Sequence, residues 1–137
     1  MTPFPLKIVT PDGLLFDGQA EELVVRTTTG DMGILAGHIN CVAPLGMGRA
    51  MVAVDGTKRH AACIGGMVSV INGCVTLVPT TFEWAEDINL DRAQRSRQRA
   101  EKILEDKDSS DLDVRLASAR LKRALIRSSV ASNYMNR

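Results

Sequence analysis

Apolar positions recur in this chain with two different periods. Between Leu6 and Val78 they come in short runs: Leu6–Val9, Leu14–Phe16, Ala20–Thr27, Ala50–Val54, Lys58–Cys63, Met67–Ile71 and Cys74–Val78. The breaks between them include Pro11-Asp12-Gly13 and Asp17-Gly18, residues that suit turns. Asp55-Gly56 and Asn72-Gly73 tolerate the positive φ angles of tight primed turns, so they predict two hairpins, with Pro79 closing the last strand. Many short strands at this spacing predict a small sandwich or barrel of antiparallel strands.

Beyond Trp84 the period lengthens. Ala93, Ser96, Ala100, Ile103 and Leu104 recur at intervals of three and four, the face of an amphipathic helix. Asn89 is its predicted N-cap, since the side-chain oxygen can accept a free N–H of the first turn, and Asp91 complements the helix dipole there. Asp106-Lys107-Asp108-Ser109-Ser110 reads as a loop, with Ser110 or Asp111 capping a second helix. That helix carries two apolar stripes: Val114, Ala117, Leu121, Ala124 and Leu125 on one side, and Leu112, Leu116, Ala119, Ile126 and Val130 on the other. A hairpin partner can bury one of them. The fold class expected is therefore β followed by α: a β region over 1–85 and an antiparallel two-helix hairpin over 86–137.

Composition supports the division. All 11 glycines lie at or before Gly73 and all five prolines at or before Pro79. Gly and Pro damage helix interiors, so a stretch without them is free to be helical. Charge divides at the same place: five Lys/Arg against eight Asp/Glu up to Glu86, then twelve against eight. A basic tail follows an acidic head. No apolar stretch approaches the ~18 residues of a membrane span, and no leader pattern opens the chain. Cys41, Cys63 and Cys74 contain no C-x-x-C pair, which fits reduced structural thiols.

Candidate chemistry is sparse. His38 and His60 are the only histidines, and no acid/base pair or metal-ligand set has recognisable spacing, so neither catalysis nor a metal site is expected. Gly30 to His38 holds three glycines and predicts a tight loop carrying an Ile34-Leu35 plug; without a following Lys-Ser/Thr it does not form a phosphate-cradling loop. The basic tail raises nucleic-acid binding as a rival, but it has no aromatic stacking platform and interleaves acidic residues. A free-standing nucleotide-responsive regulator is a further alternative.

Leu6 to Phe16, Gly30 to His38, Gly48 and the Ala85-Glu86-Asp87-Ile88 junction together resemble the epsilon subunit of F-type ATP synthases, in the right order over nearly the whole chain. The family commonly has Pro at the position of Ala36 and Ala-Pro at Ile39-Asn40. The resemblance implies a non-catalytic subunit of the rotating central stalk. Its partners would be the gamma subunit, the c-ring and the catalytic alpha and beta subunits, with no nucleic acid. The protein would lie peripherally on the cytoplasmic face of a bacterial inner membrane, rather than on a plastid thylakoid. Asp31 and His38 would contact the c-ring. Arg115, Arg120, Lys122, Arg123 and Arg127 would meet an acidic helical segment of beta when the hairpin inhibits hydrolysis. Straightened, some 45 tail residues would reach about 68 Å. No cofactor is implied as required. Some bacterial members bind ATP through an Ile/Leu-Asp-x-x-Arg-Ala motif, matched here by Ile88, Asn89, Arg92 and Ala93 with Asn in place of Asp. Glu83 and Arg99 match further binding positions, and Arg123 and Arg127 match approximately. Asn offers no carboxylate acceptor, so ATP is expected to be at most a weak regulatory ligand.

Overall fold

The computed structural model describes residues 1–135; Asn136 and Arg137, the last two residues of the expected helical region, lie outside it. The chain forms two compact units, the first ending at Trp84 and the second starting at Ala85. The first unit contains β1 (Phe4–Thr10), β2 (Gly13–Ala20), β3 (Glu22–Thr27), β4 (Gly30–Ile34), β5 (Cys41–Pro44), β6 (Met47–Val54), β7 (Thr57–Ile71) and β8 (Cys74–Trp84). The second contains a single 3-10 turn (Ala85–Asp87), α1 (Leu90–Glu105) and α2 (Asp111–Met135). A β-sandwich followed by two helices is the fold class that the sequence predicts.

The strands run in the order β2-β1-β8-β7-β6-β3-β4, with β5 paired to β7. Two layers arise because β7 changes partner along its length. Thr57 to Ile64 pair with β6, while Met67 to Val70 pair with β5. Between them Gly65 and Gly66 adopt φ of 68° and 97°. A Cβ on Gly66 would run into the backbone of Val78 and Pro79, so both its conformation and the close approach exclude a side chain there. Leu6, Ile8, Leu23, Val25, Val52, Val68, Val70 and Leu77 close one aliphatic core between the layers. Fully burying a side chain of this size stabilises by about 1.5–3 kcal/mol.

Both predicted hairpin turns form, with Asp55 and Asn72 at φ of 51° and 50° and glycines following them. Three local expectations change. Pro79 does not end the last strand: β8 continues to Trp84, and Pro79 lies fully buried opposite Gly66. The pairing with β1 has by then ended at Leu77, so the missing N–H takes no bond from that ladder. The β1–β8 pairing is itself parallel, an exception among the otherwise antiparallel pairs. Ala20–Thr27 splits at Glu21 between β2 and β3.

In the second unit Asn89 caps α1 as predicted, its Oδ1 accepting the N–H of Arg92 at 3.0 Å. Ser110 Oγ accepts the N–H of Asp113 at 3.1 Å and caps α2. Between them Asp106 Oδ1 accepts from the N–H of Asp108, and Ser109 Oγ donates to the carbonyl of Ile103. The five-residue connection is thus organised by its own short polar side chains together with backbone bonds from Asp106 N–H to the Lys102 carbonyl and from Ser109 N–H to the Asp106 carbonyl. Ala93 and Ala100 on α1, and Ala117, Ala124 and Ala131 on α2, are buried at seven-residue intervals. Such small residues let two helices approach closely while burying little apolar area. Ser128, between Ala124 and Ala131, has its Oγ buried without a hydrogen-bond partner.

Candidate functional site

The segment from Gly30 to His38 is half strand and half turn. Gly30–Ile34 pair along β3 in the register Thr27↔Gly30, Arg26↔Asp31, Val25↔Met32. Alternation then places Ile34 in the core and leaves Leu35 exposed, so only the first residue of the expected Ile34-Leu35 plug is buried. Thr27 anchors the hairpin: its Oγ1 donates to the Gly30 carbonyl at 2.7 Å and accepts the N–H of Thr29 at 3.3 Å. Asp31 stands on this mount, exposed, with Oδ1 3.1 Å from Nε of Arg26.

His38 lies past the turn closed by its own N–H on the Leu35 carbonyl. Its Nδ1 is 2.8 Å from the Ile39 carbonyl, a contact that requires a proton on Nδ1. Cys41 Sγ sits 4.0 Å from the same nitrogen. A protonated Nδ1 has no lone pair with which to take the thiol proton or hold a metal ion, so this pair is not a base and nucleophile. Among the described residues no group of three or more His, Cys, Asp or Glu is arranged to hold a metal. Cys63 is buried, and burial pushes its thiol up to about 12.

The ATP-related positions fall on both units. Glu83 is in β8; Ile88 and Asn89 precede α1; Arg92 and Arg99 lie on α1; Arg123 and Arg127 lie on α2. Arg92, Arg99 and Arg123 each immediately precede a buried alanine and so flank the seam between the helices. The side-chain carbonyl of Asn89 is taken up by the helix cap. Of the positions assigned to inhibition, Arg115, Arg120 and Lys122 are exposed, while Arg123 and Arg127 are half-buried. Leu112, Leu116 and Leu125 are exposed beside them, so apolar as well as basic groups face outward from α2. After Asp113 no acidic residue follows in the chain.

A feature that sequence reasoning missed lies on the outer face of β5-β7-β8-β1-β2. Pro44 pairs with Met67, and Met67 with Val78. Val78 and Val9 each follow by one residue the Leu77–Ile8 pair, and Val9 pairs with Leu14. Met67, Val78 and Leu14 are 43%, 45% and 58% exposed, and Val42, two residues before Pro44 on the same face, is 61% exposed. The result is a row of apolar side chains across five strands. No local signal announces it, because each residue alone reads as an ordinary strand position; only the register assembles them. Arg26 was missed although a local signal existed. Its signal was the two-residue turn between Thr27 and Gly30, which places it opposite Asp31.

Comparison with known proteins gives this geometry a context. The family model described as ATP synthase, Delta/Epsilon chain, beta-sandwich domain matches residues 3–85. The model for the long alpha-helix domain of the same chain matches residues 86–132. An ATP synthase epsilon chain from Ruminococcus albus is 40% identical over 133 residues, spanning 96% of this chain and 98% of its own. One from Bacillus velezensis is 42% identical over 133 residues, covering 97% and 100%. Among solved structures, a chain of the Euglena gracilis mitochondrial ATP synthase, OSCP/F1/c-ring, superposes with a TM-score of 0.83 at 20% identity, covering 94% of this chain and 81% of that one. A chain of the Tetrahymena thermophila mitochondrial ATP synthase central stalk and c-ring gives a TM-score of 0.65 at 11% identity, with coverage of 93% and 95%; both likenesses speak to fold. With its two units matched in turn by the two domains of one family, and its length shared with bacterial epsilon chains, the chain belongs to the ATP synthase delta/epsilon family as a non-catalytic epsilon subunit.

Proposed function

We propose that the sandwich is a docking adapter of the rotor. The apolar row Pro44, Met67, Val78 and Leu14, exposed and joined through half-buried Val9, carries this reading, because a contiguous apolar surface on a folded domain marks a partner site. The gamma subunit covers that face, and Asp31 and His38 touch the c-ring. Gamma and c-ring rotation is thereby coupled to ATP synthesis at the catalytic alpha and beta subunits. The complex holds the protein peripherally on the cytoplasmic face of a bacterial membrane; among the described residues no helix is long and apolar enough to cross one.

The hairpin is the regulatory element. Its seam of alanines holds it together weakly, and α2 offers Leu112 and Leu116 together with Arg115, Arg120 and Lys122 to an acidic helical surface of beta. Charge guides that docking and apolar contact holds it. ATP exerts little control: Asn89 supplies no carboxylate, and its amide oxygen is committed to the cap.

The test is retrieval of gamma by tagged protein from a membrane extract. Val78→Asp on the apolar row should reduce retrieved gamma at least tenfold with the fold intact. Deletion of residues 87–137 should leave retrieval unchanged while altering ATP hydrolysis by the assembled enzyme. Normal retrieval by Val78→Asp would refute the docking face, and unchanged hydrolysis after the deletion would leave an adapter without regulation.

A further inference from the structure

Gly48, the second residue of β6, lies beneath the side chain of Arg26, and Gly46, just before β6, faces the Thr27 backbone and the edge of the same stem. A Cβ built on Gly48 would stand 2.5 Å from Cβ and 3.0 Å from Cγ of Arg26, and one on Gly46 would stand 3.5 Å from Cγ. Neither glycine has a positive φ, so what they supply is space. The Gly46 N–H also donates to the Arg26 carbonyl at 3.0 Å, tying the backbone to the same spot. The stem of Arg26 is laid in a slot and its Nε reaches Asp31 Oδ1 at 3.1 Å, across the cross-strand pair Arg26↔Asp31. An ordinary exposed arginine loses rotamer freedom on forming such a pair, which is why surface ion pairs contribute little. Here Gly48 leaves the stem of Arg26 room to lie close against β6, although its side chain stays 49% exposed.

We propose that Arg26 is a positioning residue for the Asp31 contact. The room over Gly48 lets its stem run beside β6 and brings the guanidinium to the carboxylate, so the edge presents a charge-balanced pair to the c-ring instead of a free carboxylate. The guanidinium carries its charge spread over a planar group close to the end of a short stem, which the terminal ammonium of a lysine does not reproduce. The inference rests on the assignment of Asp31 to the c-ring contact made above.

The experiment uses the full-length chain reassembled with the synthase on inside-out membrane vesicles, reading proton pumping per ATP hydrolysed. Arg26→Gln should lower that ratio about two- to fivefold, the range expected for an exposed ion pair. Asp31→Asn should match it, and the double variant should be no worse than either alone, because both remove one unit. Arg26→Lys should restore only part of the loss. In Arg26→Gln the carboxylate is bare, so coupling should become sensitive to salt between about 50 and 300 mM, where the wild type is not. The Nε–H resonance of Arg26 in the free protein should shift on Asp31→Asn, which reports that the pair exists in solution, while the salt dependence of coupling separates positioning from a merely structural role. Gly48→Ala should act like Arg26→Gln; where it fails to fold, Gly48→Ala with Arg26→Gly relieves the collision and should restore folding but not coupling. Wild-type coupling by Arg26→Gln beside a defective Asp31→Asn overturns the positioning role alone. Wild-type coupling by Asp31→Asn removes the c-ring assignment itself, and the proposal with it.

Discussion

The two units are held together by side chains of different size. The sandwich packs Leu, Ile and Val between layers, with Leu6, Ile8, Leu23 and Leu77 almost wholly removed from water. The hairpin buries mainly Ala93, Ala100, Ala117, Ala124 and Ala131, with Val130 the one large side chain fully inside among the described residues. Hydrophobic stabilisation follows area, so the first arrangement resists opening and the second resists it much less. One polypeptide thus combines a body suited to holding a shape with a tail suited to changing one.

Equal-sized holes or bumps in the two units should cost them different amounts. Leu77→Ala leaves a cavity at a fully buried position and should cost the sandwich about 3 kcal/mol, read as a shift of its denaturant midpoint by Trp84 fluorescence. A loss under about 1 kcal/mol would mean that the core collapses around the gap. Ala124→Leu places three extra carbons in the seam and should cost about 2 kcal/mol of hairpin stability, seen as loss of helical circular dichroism while the sandwich signal persists. If both signals fall together, the units do not open separately.

Alkali should strike the sandwich. The Cys63 thiol is raised from 9.0 to about 12, so between those pH values the unfolded chain releases a proton that the folded one keeps. Stability from this group is whole below pH 9 and falls by about 1.4 kcal/mol per pH unit as pH rises toward 12. Cys63→Ala should flatten that slope; an identical alkaline decline in the variant would show that another group carries it. The smallest effect belongs to the cap. Asn89→Ala should destabilise α1 by about 1 kcal/mol, measured by amide exchange in its first turn, and unchanged exchange would mean the cap is dispensable.

Much of this was legible wherever the chemistry is local. Asp55-Gly56 and Asn72-Gly73 form turns because those residues accept positive φ, and Asn89 and Ser110 cap helices because short polar side chains reach nearby N–H groups. Reading failed where a partner strand decides. Pro79 reads as a strand end until Gly66 is placed opposite it. Gly30 to Ile34 reads as a loop until β3 supplies its ladder. The candidate site shows the same limit. Asp31 and His38 were found through family resemblance, whereas Arg26 and the apolar row exist only once strands are in register. The clustering of Ala93, Ala100, Ala117 and Ala124 was visible beforehand because helical periodicity is itself local.

The corner at Gly65-Gly66 has a mechanical meaning. Because β7 belongs to both layers, one uninterrupted backbone runs from the β5 side to the β6 side of the sandwich. Two layers joined only by side chains can creep past one another under a sideways load. Here any such slip would have to stretch covalent bonds or unpair a ladder, so a push on the β5 face travels along the chain toward β6 as through a bent beam.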